Sequence, residues 1–187
     1  MTCELVLKSN SYIDFAFGKV IQGKEMQVFT EYFPLITPVL EECEIQSLGS
    51  FAILATNSTG PVPEQGALTQ VPSPEKFAQF HNDSRFIEAK PLRDDAMTFL
   101  NDGNFFTSID EHLTLLTDSD YALIIAKEHI SDIPPLLTLE AAKNSPKQHH
   151  FDKSLSLSLW SDHAETLLTG SEDDCLVFKL RFFAKQS

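Results

Sequence analysis

The order in which strand-like and helix-like patterns follow one another between residues 12 and 109 constrains the fold more than any other feature of this sequence. Residues 12–21 place apolar side chains at roughly alternate positions, which is typical of a strand. Residues 24–44 instead carry apolar side chains at intervals of three and four, which predicts a helix with one apolar face. Two prolines inside this pattern each remove an amide donor, so we expect a kink or break near Phe33.

The following residues continue this alternation of strand and helix. Ser73, Pro74 and Glu75 predict the start of a helix, because serine caps helix N-termini, proline fits the first turn and an acid there favours the helix dipole. The predicted segments are strands at 48–55 and 66–71, a helix from 74 that breaks at 82–84, a further helix from 87 or 91 to 100, a turn at 101–104 and a strand at 105–109. Strand, helix, strand, strand, helix, strand is the split βαβ arrangement of a ferredoxin-like α+β fold, βαββαβ.

A sheet of this kind carries both helices on one face, so its other face needs a second sheet to cover it. The C-terminal residues suggest an internal copy that is one strand short. The predicted segments there are strands at 121–126, 154–159 and 176–183 and helices at 133–142 and 161–168, with a strand at 2–8 that could complete the set. We therefore expect a ferredoxin-like α+β domain at 1–110 and a second, degenerate ferredoxin-like half at 111–187. A homodimer is the other way to cover the bare face.

Composition excludes several classes of function. The chain is 42% hydrophobic and contains 15 phenylalanines, which is enough apolar material for a core. Its 14 basic and 27 acidic residues give a net charge of −13 at pH 7, so neither nucleic acid nor a membrane surface is expected as a partner. No apolar run reaches the roughly 18 residues of a membrane span, and the N-terminus lacks the basic start of a signal peptide. Three widely spaced cysteines fit free thiols in a reducing compartment, so we expect a cytoplasmic protein.

Two neighbouring segments carry a family resemblance. Residues 76–86 (Lys-Phe-Ala-Gln-Phe-His-Asn-Asp-Ser-Arg-Phe) and 90–96 (Lys-Pro-Leu-Arg-Asp-Asp-Ala) resemble a signature of an uncharacterised bacterial domain family. That family belongs to the dimeric α+β barrel superfamily, near the NIPSNAP and antibiotic-monooxygenase-like groups. Residues 32–36 and 48–51 are similar to the first helix and second strand of the family, and the resemblance covers residues 12–109. The chain departs from the family at His81, where an aromatic residue is usual.

The resemblance implies a ferredoxin-like fold in which two sheets face each other as a barrel. Members of the superfamily include haem-degrading and quinol-forming monooxygenases, chlorite dismutase-like and muconolactone isomerase-like enzymes, and proteins with no known activity. Fold alone does not select among these functions. The first expectation is an α+β barrel protein that binds a small organic molecule in an apolar cavity. The alternatives are a cofactor-independent monooxygenase or isomerase acting on an aromatic or unsaturated substrate, and a structural or interaction module without a ligand.

His81 and Arg93 are the candidate catalytic residues, because they lie on consecutive predicted helices. His81 would act as a hydrogen-bond donor or general base, and Arg93 would clamp an anionic or carbonyl-bearing molecule at the mouth of the barrel. The alternative is structural: Arg93 pairs with Asp94, Glu88 or Asp83, and His81 is partly exposed.

Four phenylalanines are candidate ligand contacts, namely Phe15, Phe17, Phe51 and Phe80. Phenylalanines more often fill a core than line a cavity, so both roles stay open. His149, His150 and Asp152 could bind a metal ion, but adjacent histidines in a strand or loop point apart. No metal site and no cofactor are therefore predicted, and the sequence lacks the common nucleotide-binding and serine-hydrolase motifs.

Overall fold

The computed structural model describes residues 1–60, 62–127, 130–142 and 154–184. The strands in these residues are β1 (Thr2–Leu7), β2 (Tyr12–Val20), β3 (Gln46–Thr56), β4 (Gln65–Val71), β5 (Met97–Phe106), β6 (Glu111–Leu116), β7 (Tyr121–Ala126), β8 (Leu137–Ala141), β9 (Ser154–Leu159) and β10 (Cys175–Phe182). The α-helices are α1 (Phe33–Glu42), α2 (Pro74–Asn82), α3 (Ser84–Ala96) and α4 (Asp162–Leu167). A π-helical turn, Gln27–Tyr32, leads directly into α1.

Eight of the strands form one closed antiparallel barrel in the order β10-β3-β4-β2-β5-β8-β9-β7. Strands β2 to β5 occupy one half of the ring in the order β5-β2-β4-β3, and β7 to β10 occupy the other half in the order β10-β7-β9-β8. The two halves meet where β10 pairs with β3 and where β5 pairs with β8. The ring closes where β7 pairs with β10, so every barrel strand has a hydrogen-bonded neighbour on both sides.

The ferredoxin-like fold class, and the dimeric α+β barrel with it, is therefore wrong as a description of this chain. The structure is an α+β protein dominated by a closed eight-stranded antiparallel barrel with few helices. The physical reason lies in the outermost strands: they pair with one another and do not remain edges, so the sheet curls round and covers its own apolar face. Closure within one chain also removes the bare face from which a homodimer was inferred.

Other predicted elements are wrong as well. The helix expected to reach residue 100 ends at Ala96, the strand expected at 105–109 is the end of β5, which stops at Phe106, and β6 was not predicted. The helix expected at 133–142 is absent, and β8 occupies Leu137–Ala141. Pro134 and Pro135 precede it, and prolines favour an extended entry into a strand over an interior helical position. The turn expected at 101–104 is also absent, because β5 runs through those residues from Met97 to Phe106. Strands from both predicted domains belong to the barrel. The domain boundary at residue 110 stays a prediction.

Aromatic rings fill the barrel interior. The largest fully buried side chains include Phe15, Phe17, Phe51, Phe105, Phe178 and Phe182. Phe17 stacks on Phe178 with ring centroids 4.4 Å apart, and Phe51 meets Phe182 edge to face at 5.5 Å. Gly66 is the position that makes room for them, because a Cβ there would lie 2.4 Å from Cε2 of Phe51. The interior is thus a packed core and not an open channel.

Strands β1 and β6 form a separate two-stranded ribbon that packs against the barrel. The inward side chains of the ribbon join the same core as the barrel phenylalanines; they are Cys3, Leu5, Leu7, Leu113 and Leu115. A Cβ at Gly49 of β3 would lie 3.0 Å from Cδ2 of Leu5, so the ribbon approaches the barrel wall closely. The buried Tyr121 hydroxyl accepts a hydrogen bond from the amide of Leu116 at 2.7 Å and lies 3.3 Å from its carbonyl oxygen. These contacts attach the ribbon to β7.

The helices α1, α2 and α3 form a layer outside the barrel. As predicted, Ser73 caps α2 by accepting a hydrogen bond from the amide of Lys76, and the helix breaks before Asp83, which caps α3. The layer has its own apolar cluster, which contains Tyr32, Ile36, Val39, Cys43, Phe80, Phe86 and Ala89. The short α4 covers another part of the barrel wall with Ala164. In the part of the chain that the structure describes, no helix is both long and apolar enough to cross a membrane.

Candidate functional site

A cavity of about 940 Å³ lies between the helical layer and the outer face of the barrel. Its barrel side is formed by the start of β5 and by outward-facing residues of β2, β3 and β4, most of which are small. These residues are Asp14, Ala16, Gly18, Ser50, Gln65, Ala67 and Thr69. Because these side chains are short, they leave the space between the sheet and the helices unfilled. The volume lies within the roughly 300–1,000 Å³ that is typical of small-molecule sites.

The helical side of the cavity is predominantly apolar and aromatic. It includes Val28, Phe29, Tyr32, Phe33, Ile36, Phe77, Phe80 and Phe86. Phe29 and Phe33 stack on each other at 6.1 Å, yet they are 58% and 40% exposed. Exposed lining residues mark the place where the cavity opens to solvent. The π-helical turn lies at this opening, and π-helical segments are frequent at functional sites.

Tyr32 and Arg93 bring polar groups to this apolar cavity. Burial raises the pKa of Tyr32, and the neighbouring Arg93 guanidinium opposes that shift by its charge and by a hydrogen bond to the phenol oxygen. The phenol is therefore protonated at neutral pH. Arg93 also donates from Nε and Nη2 to Oδ1 of Asp94, at 2.8 and 2.6 Å. Its guanidinium carbon lies 5.7 Å from the ring centroid of Phe86, which favours a cation–π contact.

His81 lies among three aromatic rings at the exposed side of α2. Its ring centroid is 4.4 Å from that of Phe77, 5.3 Å from Phe80 and 5.1 Å from Phe86. His81 and Arg93 both belong to the lining of the cavity, although they come from different helices. The pairing of Arg93 with Asp94, which the structural alternative required, is present too.

The four candidate phenylalanines divide between the cavity and the barrel core. Phe80 lines the cavity from α2. Phe17 borders the cavity from the barrel side, but its ring is fully buried in the barrel interior, where it stacks on Phe178. Phe15 and Phe51 lie in the packed barrel interior and are not among the lining residues. The sequence analysis predicts a cavity inside the barrel, whereas the observed cavity lies outside the barrel wall.

Sequence reasoning missed Tyr32 and the small residues of the barrel wall. A signal for the latter exists in β2, where the buried positions Ile13, Phe15 and Phe17 are large, and the positions between them are Asp14 and Ala16. One face of that strand is thus bulky and the other is small. Tyr32 gave no comparable signal, because it lies outside the apolar positions whose spacing predicted the helix.

Metal and thiol chemistry find little support in the described residues. No group of three or more histidine, cysteine or acidic side chains there could hold a metal ion. His149, His150 and Asp152 lie outside the described residues. Cys43 is buried near the cavity, and burial raises the pKa of its thiol, which disfavours a reactive thiolate.

Comparison with known proteins adds no family to this description. No family model matches the sequence, and no curated protein shows significant similarity to it. The resemblance of residues 12–109 to the dimeric α+β barrel superfamily accordingly stays a hypothesis, and functional inference depends on the geometry of the cavity.

Proposed function

We propose that this protein binds a small, largely apolar organic molecule in the cavity between the helical layer and the barrel wall. The observation that carries the proposal is a volume of about 940 Å³ lined by aromatic and aliphatic side chains, with polar groups of Tyr32 and Arg93 at its edge. An apolar cavity with a few convergent polar groups is the usual form of a small-molecule site. A structural module filled by its own side chains would not be expected to leave a volume of this size.

The test is a titration with N-phenyl-1-naphthylamine, a neutral apolar dye whose fluorescence rises in apolar surroundings. Ala67→Trp places a large side chain on the barrel side of the cavity, so it should weaken dye binding by at least about tenfold. Thr138→Trp is the matched control, because Thr138 is an exposed residue of β8 that does not line the cavity. The affinity of Thr138→Trp for the dye should equal that of the wild type.

Two results would overturn the proposal. One is the absence of saturable dye binding to the folded wild-type protein. The other is equal affinity of the wild type and of a folded Ala67→Trp variant, which would place the dye elsewhere. Circular dichroism of each variant shows whether it has folded.

A second candidate function is favoured by the position of His81 and Arg93 on one cavity. In this alternative the protein is a cofactor-independent monooxygenase or isomerase of an aromatic or unsaturated substrate, with His81 as hydrogen-bond donor or general base. A panel of quinols and lactones assayed with the wild type and with His81→Ala separates the candidates. Turnover that is lost in the variant supports the enzyme, and turnover that is unchanged removes the role of the histidine.

We infer a cytoplasmic location from the thiols. Cys3, Cys43 and Cys175 are all buried and unlinked, as is usual for proteins of a reducing compartment. Fractionation of cells that express a tagged chain tests this inference, and recovery from an oxidising compartment would contradict it.

A further inference from the structure

We propose that the cavity selects neutral molecules that carry a hydrogen-bond acceptor, such as a ketone, ester or amide carbonyl, and rejects carboxylates and other anions. This inference rests on the proposed binding function and names the ligand class of that site. It follows from the charges that face the cavity and from the place of Tyr32 in its lining.

The charges around the cavity disfavour an anion. Besides the imidazole of His81, the ionisable groups of its lining that bear on an anion are two carboxylates, Asp14 on β2 and Asp94 on α3, and the guanidinium of Arg93. Arg93 already directs two N–H groups to Oδ1 of Asp94, at 2.6 and 2.8 Å. An anionic ligand at Arg93 would compete with that carboxylate for the guanidinium and would face the charge of Asp14 as well. The net charge of −13 on the whole chain adds to this repulsion.

Tyr32 provides the complementary preference for an acceptor. Burial raises the pKa of its phenol, so the hydroxyl keeps its proton at neutral pH. Tyr32 lines the cavity and is only 5% exposed, and the Arg93 guanidinium beside it donates a hydrogen bond to the phenol oxygen. A hydroxyl whose oxygen already accepts a hydrogen bond is suited to donate its proton to a ligand. A carbonyl oxygen is such a partner and carries no charge that Asp14 or Asp94 would repel.

The walls of the cavity suit a flat apolar skeleton. Small side chains such as Ala16 and Ala67 form one wall, and the rings of Phe77, Phe80 and Phe86 belong to the other. Aromatic rings pack against flat molecules over a large area, so naphthalene derivatives are suitable probes of this site.

The experiment compares two dyes that share one skeleton. N-phenyl-1-naphthylamine is neutral, and 8-anilino-1-naphthalenesulfonate is the same molecule with an added sulfonate. We expect the neutral dye to bind the wild type at least about tenfold more tightly than the sulfonate. Asp94→Asn releases Arg93 from its carboxylate, so it should strengthen sulfonate binding by about tenfold and thereby narrow the preference for the neutral dye.

Asp95→Asn is the matched control for this variant. Asp95 is the next residue of α3, but it pairs with Lys24 at 2.7 Å and does not line the cavity. The affinity of the Asp95→Asn variant for the sulfonate dye should stay at the wild-type value. Sulfonate binding that equals neutral-dye binding in the wild type, or that does not change in Asp94→Asn, overturns the selection against anions while leaving the proposed binding function intact. If neither dye binds, the proposed function itself fails.

A second pair of molecules tests the acceptor. 2-Acetylnaphthalene and 2-ethylnaphthalene have nearly the same shape, and each is measured by displacement of the neutral dye. The ketone should bind the wild type about five- to tenfold more tightly, and Tyr32→Phe should abolish this difference between the two molecules. Equal binding of both molecules to the wild type, or a ketone preference that survives in Tyr32→Phe, would overturn the role of the phenol.

Discussion

Gly66→Ala tests whether the barrel interior is as full as the structure indicates. A Cβ at this position would lie 2.4 and 2.5 Å from two atoms of the Phe51 ring and 2.8 Å from the backbone oxygen of Ala16. Neither neighbour can move freely, because Phe51 is packed between other rings and the oxygen belongs to β2. Overpacking of this kind costs about 1–3 kcal/mol, and we expect the upper end here.

Part of that cost is offset in the unfolded chain, where alanine has less conformational freedom than glycine by about 0.4–1 kcal/mol. The free energy of unfolding should therefore fall by about 2 kcal/mol, which corresponds to about 4–8 °C in Tm for a chain of this length. Urea denaturation followed by circular dichroism measures the change. Gly60→Ala is the control, because the nearest atom to its Cβ is 3.7 Å away. A loss below about 0.5 kcal/mol in Gly66→Ala would show that the barrel interior has room and would refute the reasoning.

Three further changes test local interactions by the same denaturation assay. Tyr121→Phe should lower the free energy of unfolding by about 1–3 kcal/mol, because it removes the buried acceptor of the Leu116 amide. An unchanged free energy of unfolding would mean that water replaces the hydroxyl. Ser73→Ala should cost about 1 kcal/mol through loss of the cap of α2, and Ser73→Asp should restore most of it. Arg85 holds the pKa of Asp83 at about 2, below its ordinary value of 3.8, so the charged form is stabilised by folding. The stabilisation is present above about pH 4 and disappears as the pH falls towards 2. Asp83→Asn should consequently lower Tm at pH 6 but not at pH 2. An equal loss of Tm at both pH values would contradict this.

Most of the local structure could be predicted from the sequence. The alternation in residues 12–21 gave β2, and Ser73 with Pro74 gave the start of α2. Near Phe33, where a kink or break was expected, the backbone stays helical and changes from a π-helical turn to α1. These features depend on neighbouring residues, so local patterns are sufficient to find them.

The closure of the barrel could not be predicted in the same way. Alternation shows which face of a strand is buried, but it does not show which strand lies beside it. The pairing of Phe51 in β3 with Phe182 in β10 joins residues that are far apart in the sequence. The segment from Ile133 to Ala142 is apolar enough to fit either a helix or a strand, and its place between β5 and β9 decides for the strand.

The candidate site was predicted in part. His81 and Arg93 were identified as residues that could share a site, and they do line one cavity. Their location outside the barrel was not predicted, because it depends on which helices cover the small residues of β2 and β4. Tyr32 reaches the same place only through the packing of the π-helical turn against α3.

The most direct test of the cavity is to locate a bound molecule by X-ray diffraction. Crystals grown with 6-bromo-2-acetylnaphthalene would be measured at the bromine absorption edge, where the bromine atom gives an anomalous signal of its own. We predict a bromine peak between Ala67 and Phe80, with the ketone oxygen within hydrogen-bond distance of the Tyr32 hydroxyl. A peak inside the barrel among Phe15, Phe51 and Phe178, or peaks only at the protein surface, would contradict the account.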